Sequence, residues 1–301
     1  MDKMSVVINV VNEEIETLPR ALASISNLAD EIVIVDMTEE GELREVASKF
    51  PVKVYQHERV PYVEIARNFG ISKATKDWIL VLDPDEEIPD SLARKIKKII
   101  NCRVSYDYYS ISRKNIIFGK WMKHSRWWPD HNIRFFKKGS VSWNEVIHTV
   151  PMTKGEGNDL QAKEKYAIIH HHYNSIEQYI ERMNRYTTAQ AKNLLTDGYV
   201  FNWQDMIKKP SNEFLSRYFQ GEGYKDGLHG LAMAGLQGLS ELVVILKIWQ
   251  NYKFKKETVK TDEVFTVFKK SQKDMNYWMA DKNVKTKGGI VPRIKRKFRL
   301  P

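Results

Sequence analysis

The sequence predicts an α/β fold built around a mostly parallel sheet, with a helical C-terminal extension. Up to residue 100, four short apolar runs typical of buried strands alternate with helical stretches. This alternation is typical of right-handed βαβ units. The fourth strand ends in an acidic cluster, Asp83-Pro84-Asp85-Glu86-Glu87. Polar residues also follow the first two strands, so the sequence predicts a ligand site at the carboxyl edge of the sheet.

The predicted elements of this half follow from apolar runs and capping residues. Strands are expected at residues 5–11, 31–36, 52–55 and 78–82. Helices are expected from residue 17, with Pro19 in the first turn, and at residues 40–50, 62–74 and 90–100, with Asp90 as the N-cap of the last.

The segment after residue 105 changes to antiparallel character. Residues 106–112, 132–136 and 141–143 alternate or are rich in aromatic side chains, which predicts antiparallel strands. Trp121, Trp127 and Trp128 lie between the first two of these strands. Their faces would suit a sugar ring or a base, and packing in the core is the alternative.

Residues 165–169 predict a further strand, which is followed by His170, His171 and His172. A histidine tract binds metal in some proteins, whereas a solvated strand end is the ordinary interpretation. Ser175 and Gln178 form a capping box for a helix that reaches about residue 195. We therefore expect a sheet domain over residues 1–200 and a helical extension over 201–301.

Composition limits the compartment and the partners. The single cysteine, Cys102, excludes an intrachain disulfide framework and fits a reducing, cytoplasmic location. The N-terminus runs straight into a predicted strand, so no signal peptide is expected. Residues 251–301 hold 15 Lys and Arg against 5 Asp and Glu, which equals the formal +10 of the whole chain. The first 250 residues are therefore formally neutral.

Two C-terminal segments bear on membranes. Residues 228–249 are apolar but interrupted by Glu241 and Lys247, which predicts a packed or interfacial helix rather than a membrane span. The basic tail, residues 282–299, contains scattered apolar residues and is expected either to lie on an anionic membrane surface or to be a solvated, disordered tail.

The acidic cluster suggests metal chemistry. Asp83 and Asp85 are one residue apart, and their hard oxygen ligands suit Mg²⁺ or Mn²⁺, which would neutralise a phosphorylated substrate. An acidic loop that caps the next helix is the alternative. Gly-x-Gly-x-x-Gly and P-loop motifs are absent from the sequence, which argues against a dinucleotide dehydrogenase and a P-loop enzyme.

Taken together, several segments resemble family 2 glycosyltransferases of the GT-A fold, particularly lipopolysaccharide-core β-glucosyltransferase-like members. The segments that carry the resemblance are residues 5–14, 31–36, 66–70, 77–86, 128–136, 143–148 and 219–230, with His170. The resemblance implies inverting transfer of a sugar from a nucleotide-diphosphate sugar, expected to be a UDP-sugar, to an acceptor hydroxyl. It implies a glycan or lipid-linked acceptor in cell-surface glycan or lipopolysaccharide assembly. The basic tail adds the expectation of a peripheral position on the inner face of the membrane.

The resemblance also implies roles for individual residues. Asn12, Glu14 and Asp36 would lie by the base and ribose, and Arg67 near the uracil or diphosphate. Asp85 would be the metal ligand, with Asp83 nearer the ribose or the metal. His148 and His170 are candidates for completing the metal or diphosphate site. The sequence departs from the family pattern at Met37-Thr38 and at Thr149, where an acid usually follows the histidine.

Inverting transfer needs a carboxylate that takes the proton of the acceptor hydroxyl. We favour Asp130, because partial burial in its Trp-rich stretch would raise its pKa. Glu145 is the rival, and a salt bridge to Arg134 is the structural alternative for Asp130.

Two other functions compete with transfer. A nucleotidyltransferase acting on a sugar phosphate would keep the fold, but such enzymes usually carry a glycine-rich basic loop where this chain has Asn12-Glu13-Glu14. The basic tail and the interleaved aromatic residues suggest nucleic-acid binding. The neutral charge of the site region argues against that second alternative, so no nucleic-acid partner is expected.

Overall fold

The computed structural model describes residues 2–39, 41–60, 63–143 and 151–301. The chain divides into two compact units. The first comprises Met1–Ile116 and Trp128–His172, and the second comprises Ile117–Trp127 and Tyr173–Pro301.

The strands, in chain order, are β1 Met4–Val10, β2 Glu31–Asp36, β3 Lys53–Gln56, β4 Trp78–Leu82, β5 Glu86–Glu87, β6 Tyr108–Ile117, β7 Lys120–Trp121, β8 Asp130–Lys137, β9 Val141–Ser142, β10 Met152–Thr153, β11 Gly157–Asp159 and β12 Ile168–Tyr173. The helices are α1 Leu18–Ile25, α2 Arg44–Ala47, α3 Glu64–Lys73, α4 Asp90–Ile100, α5 Ile176–Thr196, α6 Asp205–Leu215, α7 Leu228–Asn251, α8 Thr261–Lys287 and α9 Ile290–Phe298.

The first unit is built on a mixed sheet with the strand order β3-β2-β1-β4-β8-β6-β12-β5, and β11 pairs with β6. The pairs formed among β1 to β4 are parallel, whereas β8 is antiparallel to both β4 and β6. Every residue of β1, β2 and β4 is buried, as expected for parallel strands that are covered on both faces. The predicted α/β sheet with an antiparallel part is confirmed.

Alternate residues of β1 face two separate cores. Val6 and Ile8 join the core formed with α1 and α4, whereas Val7 belongs to the core on the other face of the sheet, against which Ile71 of α3 packs. Gly70 permits this close approach, because a Cβ atom there would lie 2.6 Å from Val7 Cγ1. The sheet is therefore sandwiched between helical layers.

The predicted helix over residues 40–50 is much shorter than expected. Of the described residues 41–50, only Arg44–Ala47 are helical. Gly41 has a φ of +91°, a backbone conformation that is incompatible with a right-handed helix and is readily adopted by glycine. The helix predicted at residues 90–100 has the expected bounds, but its N-cap is Pro89 and the predicted N-cap, Asp90, is the first helical residue.

Glu31 at the start of β2 ties three segments together. Its carboxylate accepts hydrogen bonds from Ser5 Oγ, from Lys53 Nζ at 2.7 Å and from Thr75 N at 2.7 Å. Burial alone would raise the pKa of Glu31, but these donors outweigh burial and lower the pKa to about 2. The carboxylate therefore stabilises the fold in its ionised form.

We expect Glu31→Gln to lower the free energy of unfolding by about 2 kcal/mol at neutral pH, because buried donors lose a charged acceptor. The native pKa lies below the ordinary glutamate value of 4.5, so this contribution is complete above pH 4.5 and is lost as the pH falls towards 2. Urea midpoints of both proteins at several pH values measure the difference. Glu45→Gln, which removes the exposed Glu45–Lys49 pair, is the control and should leave the midpoint unchanged. A wild-type advantage over Glu31→Gln that stays constant down to pH 3 would contradict the role of the charge.

The second unit is mainly helical. Ser175 Oγ accepts a hydrogen bond from Gln178 N at 3.2 Å, as the capping box predicts. α5 and α6 both pack against α7, and α8 packs against α6 and α9. Because α5 packs on α7, residues 173–200 belong to this helical unit, which differs from the predicted boundary at residue 200. The basic tail forms the last turns of α8 and the whole of α9. It is therefore helical, whereas a disordered tail was the alternative.

Within the described ranges, one helix, α7, is long and apolar enough to cross a membrane. Length and composition alone are weak evidence, because a core helix of a soluble protein meets the same criterion. One third of its most apolar window is buried against the rest of the protein.

Candidate functional site

The ends of three parallel strands meet at one edge of the sheet. Val10 of β1 lies opposite Asp36 of β2, and Ile8 of β1 lies opposite Leu82 of β4. The polar residues that end or follow these strands therefore gather at the carboxyl edge, as predicted. They are Asn12, Asp36 and Asp83.

Asn12 and Asp36 are engaged with the segments around them. Asn12 Nδ2 donates to Glu42 Oε2 at 2.6 Å. Asp36 Oδ1 accepts from Thr38 N at 2.9 Å, and Asp36 Oδ2 accepts from Gln56 Nε2 at 2.6 Å. These contacts hold the segment that follows β2, and the end of β3, at the sheet edge.

Glu14 ends the 3-10 turn Asn12–Glu14, and its carbonyl accepts a hydrogen bond from Thr17 Oγ1 at 2.8 Å. The neighbouring Glu13 forms a salt bridge with Arg59 at 2.6 Å. The turn after β1 is therefore acidic, and its arginine partner lies after β3.

Asp83 is held by two arginines. Arg67 Nη2 of α3 lies 3.0 Å from Asp83 Oδ1, and Arg134 Nη2 of β8 donates to Asp83 Oδ2. Burial would raise the pKa of Asp83, but the positive charges of Arg134 and Arg67 outweigh burial and hold the pKa well below its usual range. Both carboxylate oxygens that metal ligation would use are thus taken by guanidinium groups. This differs from the expectation that Asp83 shares a cation with Asp85.

Glu86 is fully buried below Asp83. Its Oε2 accepts from Asp83 N at 2.9 Å, and its Oε1 accepts from Arg134 Nη2 at 2.8 Å. Burial raises the pKa of Glu86. Burial would lower the pKa of Arg134, but the negative charges of Asp83 and Glu86 outweigh it and raise that pKa. Among the described residues, Arg134 Nε and Nη1 have no hydrogen-bond partner. These two buried donors could serve a ligand that accepts hydrogen bonds.

Asp85 lies beside His170, a residue that is distant from it in the sequence. β5 pairs antiparallel with β12, so that Glu86 lies opposite His170. This pairing brings His170 Nε2 to 3.6 Å from Asp85 Oδ1, and both side chains are buried. His170 therefore lies inside the sheet rather than at a solvated strand end, which was the ordinary interpretation of the histidine tract.

Asn115 of β6 connects His170 to Asp130. Asn115 Oδ1 lies 2.6 Å from His170 Nδ1, and an amide oxygen only accepts, so His170 Nδ1 carries the proton. His170 Nε2 faces Asp85 and also lies 3.3 Å from His172 Nδ1. Asn115 Nδ2 donates to Asp130 Oδ2 at 3.1 Å. The sequence patterns did not single out this buried residue, which lies between Lys114 and Ile116 late in β6.

Asp130 begins β8 and is bound on both oxygens. Arg113 donates to Oδ2 through Nε at 2.8 Å and Nη2 at 2.7 Å, and Asn132 Nδ2 donates to Oδ1 at 3.1 Å. Burial would raise the pKa of Asp130, but the charge of Arg113 and the hydrogen bonds outweigh it and lower the pKa. The predicted upward shift is therefore wrong. The salt-bridge partner is Arg113 rather than the predicted Arg134.

The residues around Asp85 fit a divalent cation only in part. Asp85 and His170 offer a carboxylate oxygen and an imidazole nitrogen, a donor pair that suits Mn²⁺. No group of three or more His, Cys, Asp or Glu side chains within the described part of the chain is arranged to hold a metal ion. Two of the predicted site residues, Glu145 and His148, lie outside the described residues.

The tryptophans of the aromatic-rich stretch fall in different surroundings. Trp127 packs with the apolar core of the second unit, and the guanidinium of Arg217 lies 5.8 Å from its ring centre. Lys123 Nζ lies 4.1 Å from the ring centre of Trp121. For Trp127, core packing, the alternative to a ligand-binding role, is therefore the arrangement observed.

A comparison with protein families identifies the chain. The model described as "Glycosyl transferase family 2" matches residues 5–155, which is half of the sequence. The chain belongs to glycosyl transferase family 2. The match includes the strand ends at Asn12, Asp36 and Asp83, together with Asp85 and Asp130. It confirms the predicted family and, with the observed sheet and C-terminal helices, the predicted GT-A fold with a helical extension.

Individual relatives of this family 2 glycosyltransferase come from bacteria. An uncharacterized glycosyltransferase of Rickettsia typhi is 29% identical over 238 residues, which cover 76% of this chain and 81% of the relative. The lipopolysaccharide core biosynthesis glycosyltransferase LpsC of Rhizobium meliloti is 23% identical over 261 residues, covering 84% and 94% of the two chains. The crystal structure of S. aureus TarS 1-349 in complex with UDP aligns with a TM-score of 0.43 at 13% identity, covering 86% and 94%.

Proposed function

We propose that this glycosyltransferase moves a sugar from a nucleotide-diphosphate sugar, with uridine as the nucleoside, to an acceptor hydroxyl with inversion at the anomeric carbon. The observation that carries the proposal is the buried contact between Asp85 and His170 at 3.6 Å. It lies at the carboxyl edge of the sheet, beside the arginines that hold Asp83. Anionic oxygen and imidazole donors next to guanidinium groups suit a diphosphate with its cation.

Asp85 and His170 are the proposed ligands of Mn²⁺ or Mg²⁺. A cation bound there would offset the negative charge that develops on the departing diphosphate. The hydrogen bond from His170 Nδ1 to Asn115 fixes the ring. His170 Nε2, which faces Asp85 and lies 3.3 Å from His172 Nδ1, is the proposed ligand atom. Arg67 and Arg134 lie at the same edge with their charges paired to Asp83 and Glu86. Arg67 is proposed to lie near the uracil or diphosphate, and Asn12, Glu14 and Asp36 are proposed to line the base and ribose. His148 is proposed as a further ligand.

Asp130 is the proposed base, with Glu145 as the rival. In the reaction, the acceptor oxygen bonds to the anomeric carbon while the bond to the diphosphate oxygen breaks, and the hydroxyl proton passes to a carboxylate. Asp130 Oδ2 receives hydrogen bonds from Arg113 and Asn115, whereas Oδ1 receives one from Asn132. Oδ1 therefore has more capacity for the proton. The lowered pKa of Asp130 keeps it ionised at neutral pH, which is the form that a base requires.

The acceptor is proposed to be a glycan or a lipid-linked glycan of the cell surface. Similarity to LpsC, a lipopolysaccharide core biosynthesis glycosyltransferase, supports this class. The enzyme would then work in the cytoplasm, at the inner face of the membrane where lipid-linked acceptors are exposed. The nucleotidyltransferase and nucleic-acid alternatives are disfavoured, because the family match is to glycosyltransferases and the turn after β1 is acidic.

A thermal-shift screen tests the donor class. Diphosphates of uridine, guanosine, cytidine and adenosine are each added with and without Mn²⁺. We expect uridine diphosphate with Mn²⁺ to stabilise the protein most, by about 2.7 kcal/mol at a concentration 100 times the dissociation constant. Stabilisation by no nucleoside diphosphate, in the presence or absence of cation, would contradict the proposal. Once a donor sugar is found, NMR of the product's anomeric proton tests inversion.

A further inference from the structure

α9 lies against α8 through its polar side. Arg296 Nη1 donates to Asp281 Oδ1 at 2.8 Å, and Arg299 forms a salt bridge with Asp274 at 2.5 Å. Asn276 Nδ2 donates to the carbonyl of Arg299 at 3.2 Å. These contacts fix which side of α9 faces α8.

The opposite side of α9 is apolar and faces solvent. Ile290, Ile294 and Phe298 are spaced four residues apart, and with Val291 they fall within an arc of about 100°. Arg296 projects roughly opposite the centre of this apolar arc. The exposed fractions of the four side chains are 73% for Ile290, 63% for Val291, 47% for Ile294 and 61% for Phe298. A surface helix of a soluble protein normally turns its apolar side inward, so this apolar arc requires a cover.

Positive charge surrounds the apolar arc. Arg293 and Lys297 project on one side of it and Lys295 on the other, at 100° per residue. The C-terminal segment 251–301 also holds the entire formal +10 of the chain. A short helix with an apolar side and flanking cations is typical of segments that lie in the interface of an anionic membrane.

We propose that α9 docks the enzyme on a bilayer that contains anionic lipid. Ile290, Ile294 and Phe298 enter the boundary between head groups and acyl chains, while Arg293, Lys295 and Lys297 contact lipid phosphates. A second copy of the chain is a poorer cover, because two segments of +10 would repel each other. Nucleic acid would engage the cations but leave the apolar arc exposed.

α9 would supply the docking surface for the membrane location that is part of the proposed function. Its binding to lipid does not depend on the donor or the cation. The test is flotation of the full chain with vesicles of phosphatidylcholine alone or mixed equally with phosphatidylglycerol. We expect binding to the mixed vesicles, with little binding to phosphatidylcholine and a steep loss as salt is added.

Three variants assign the binding to α9. The triple variant Ile290→Ser, Ile294→Ser, Phe298→Ser should bind the mixed vesicles about 100-fold more weakly. The triple variant Arg293→Gln, Lys295→Gln, Lys297→Gln should also bind about 100-fold more weakly, at about fivefold per charge. Phe265→Ser on α8 is the control, because Phe265 is 56% exposed, similar to Phe298, and should bind as wild type does. Unchanged melting temperatures and unchanged stabilisation by uridine diphosphate show that the variants are folded and that the donor site is intact.

Two results would overturn the inference. One is a serine triple variant that binds the mixed vesicles as tightly as wild type. The other is wild-type protein that does not bind the mixed vesicles; binding to a short DNA duplex, or a dimer that the serine triple variant abolishes, would then identify the alternative partner. If the wild-type protein binds the mixed vesicles but is not stabilised by uridine diphosphate, that result would count against the proposed function and not against the docking surface.

Discussion

Replacing Asp85 with Asn should reduce the rate of sugar transfer about 10²–10³-fold, because the change removes the carboxylate charge from the proposed cation site. The substitution keeps the size of the side chain, so the buried contact region around His170 should remain packed. The midpoint of Mn²⁺ activation should also move to higher concentration. Initial rates over a Mn²⁺ titration, with the donor found by thermal shift, measure both effects.

Glu87→Gln is the matched control for this variant. Glu87 lies two residues after Asp85, and its carboxylate contacts Arg20 at 3.0 Å and His171 at 2.6 Å. It is not among the proposed ligands, so transfer and the Mn²⁺ midpoint should stay close to wild type. Excess chelator should stop the wild-type enzyme. An Asp85→Asn enzyme with wild-type turnover and the same cation response would rule out Asp85 as a ligand.

Asp130→Asn should lower turnover about 10²–10⁴-fold while leaving donor binding intact, because the acceptor proton loses its carboxylate. Donor affinity is measured by thermal shift and turnover by product formation. The amide of the variant lacks the negative charge that pairs with Arg113. The melting temperature of the variant is therefore measured as well.

Glu145→Gln is the companion to this variant. If Asp130 is the base, the Glu145→Gln enzyme should keep most of its turnover. Loss of turnover in Glu145→Gln, with turnover largely retained in Asp130→Asn, would transfer the role of base to Glu145. Asp130 would then act by holding Asn115 and, through it, His170.

Local signals in the sequence were sufficient for the parallel half of the sheet. β2 and β4 have the predicted bounds, because strands buried on both faces appear as unbroken apolar runs that end in a carboxylate. α4 has its predicted bounds for a similar reason, since its apolar residues recur at helical spacing and pack in the core. The position of Asp83 and Asp85 at the sheet edge was predictable because both residues directly follow β4, a strand of the parallel sheet.

The contacts within the site depend on pairings that join distant parts of the chain. Asp85 meets His170 only because β5, two residues long, pairs with β12. Nothing in the local pattern around Glu86 and Glu87 indicates a strand. Arg113 was missed as the partner of Asp130 because the pairing of β6 with β8 sets Arg113 opposite Asp130, and sequence spacing alone does not give that register. The direction of the pKa shift of Asp130 was wrong for the same reason.

The chain passes from the first unit to the second and back, and this limits how the first unit could be produced as a separate fragment. Ile117–Trp127 belongs to the second unit but lies between β6 and β8 of the first. Its residues Ile117 and Met122 pack with Tyr173, Tyr179 and Met233. A fragment that stops at His172 would keep this segment and lose Tyr173, Tyr179 and Met233, so the apolar side chains of Ile117 and Met122 would be exposed. Isolating the catalytic sheet would therefore require a short polar bridge from Ile116 to Trp128 as well as a C-terminal stop.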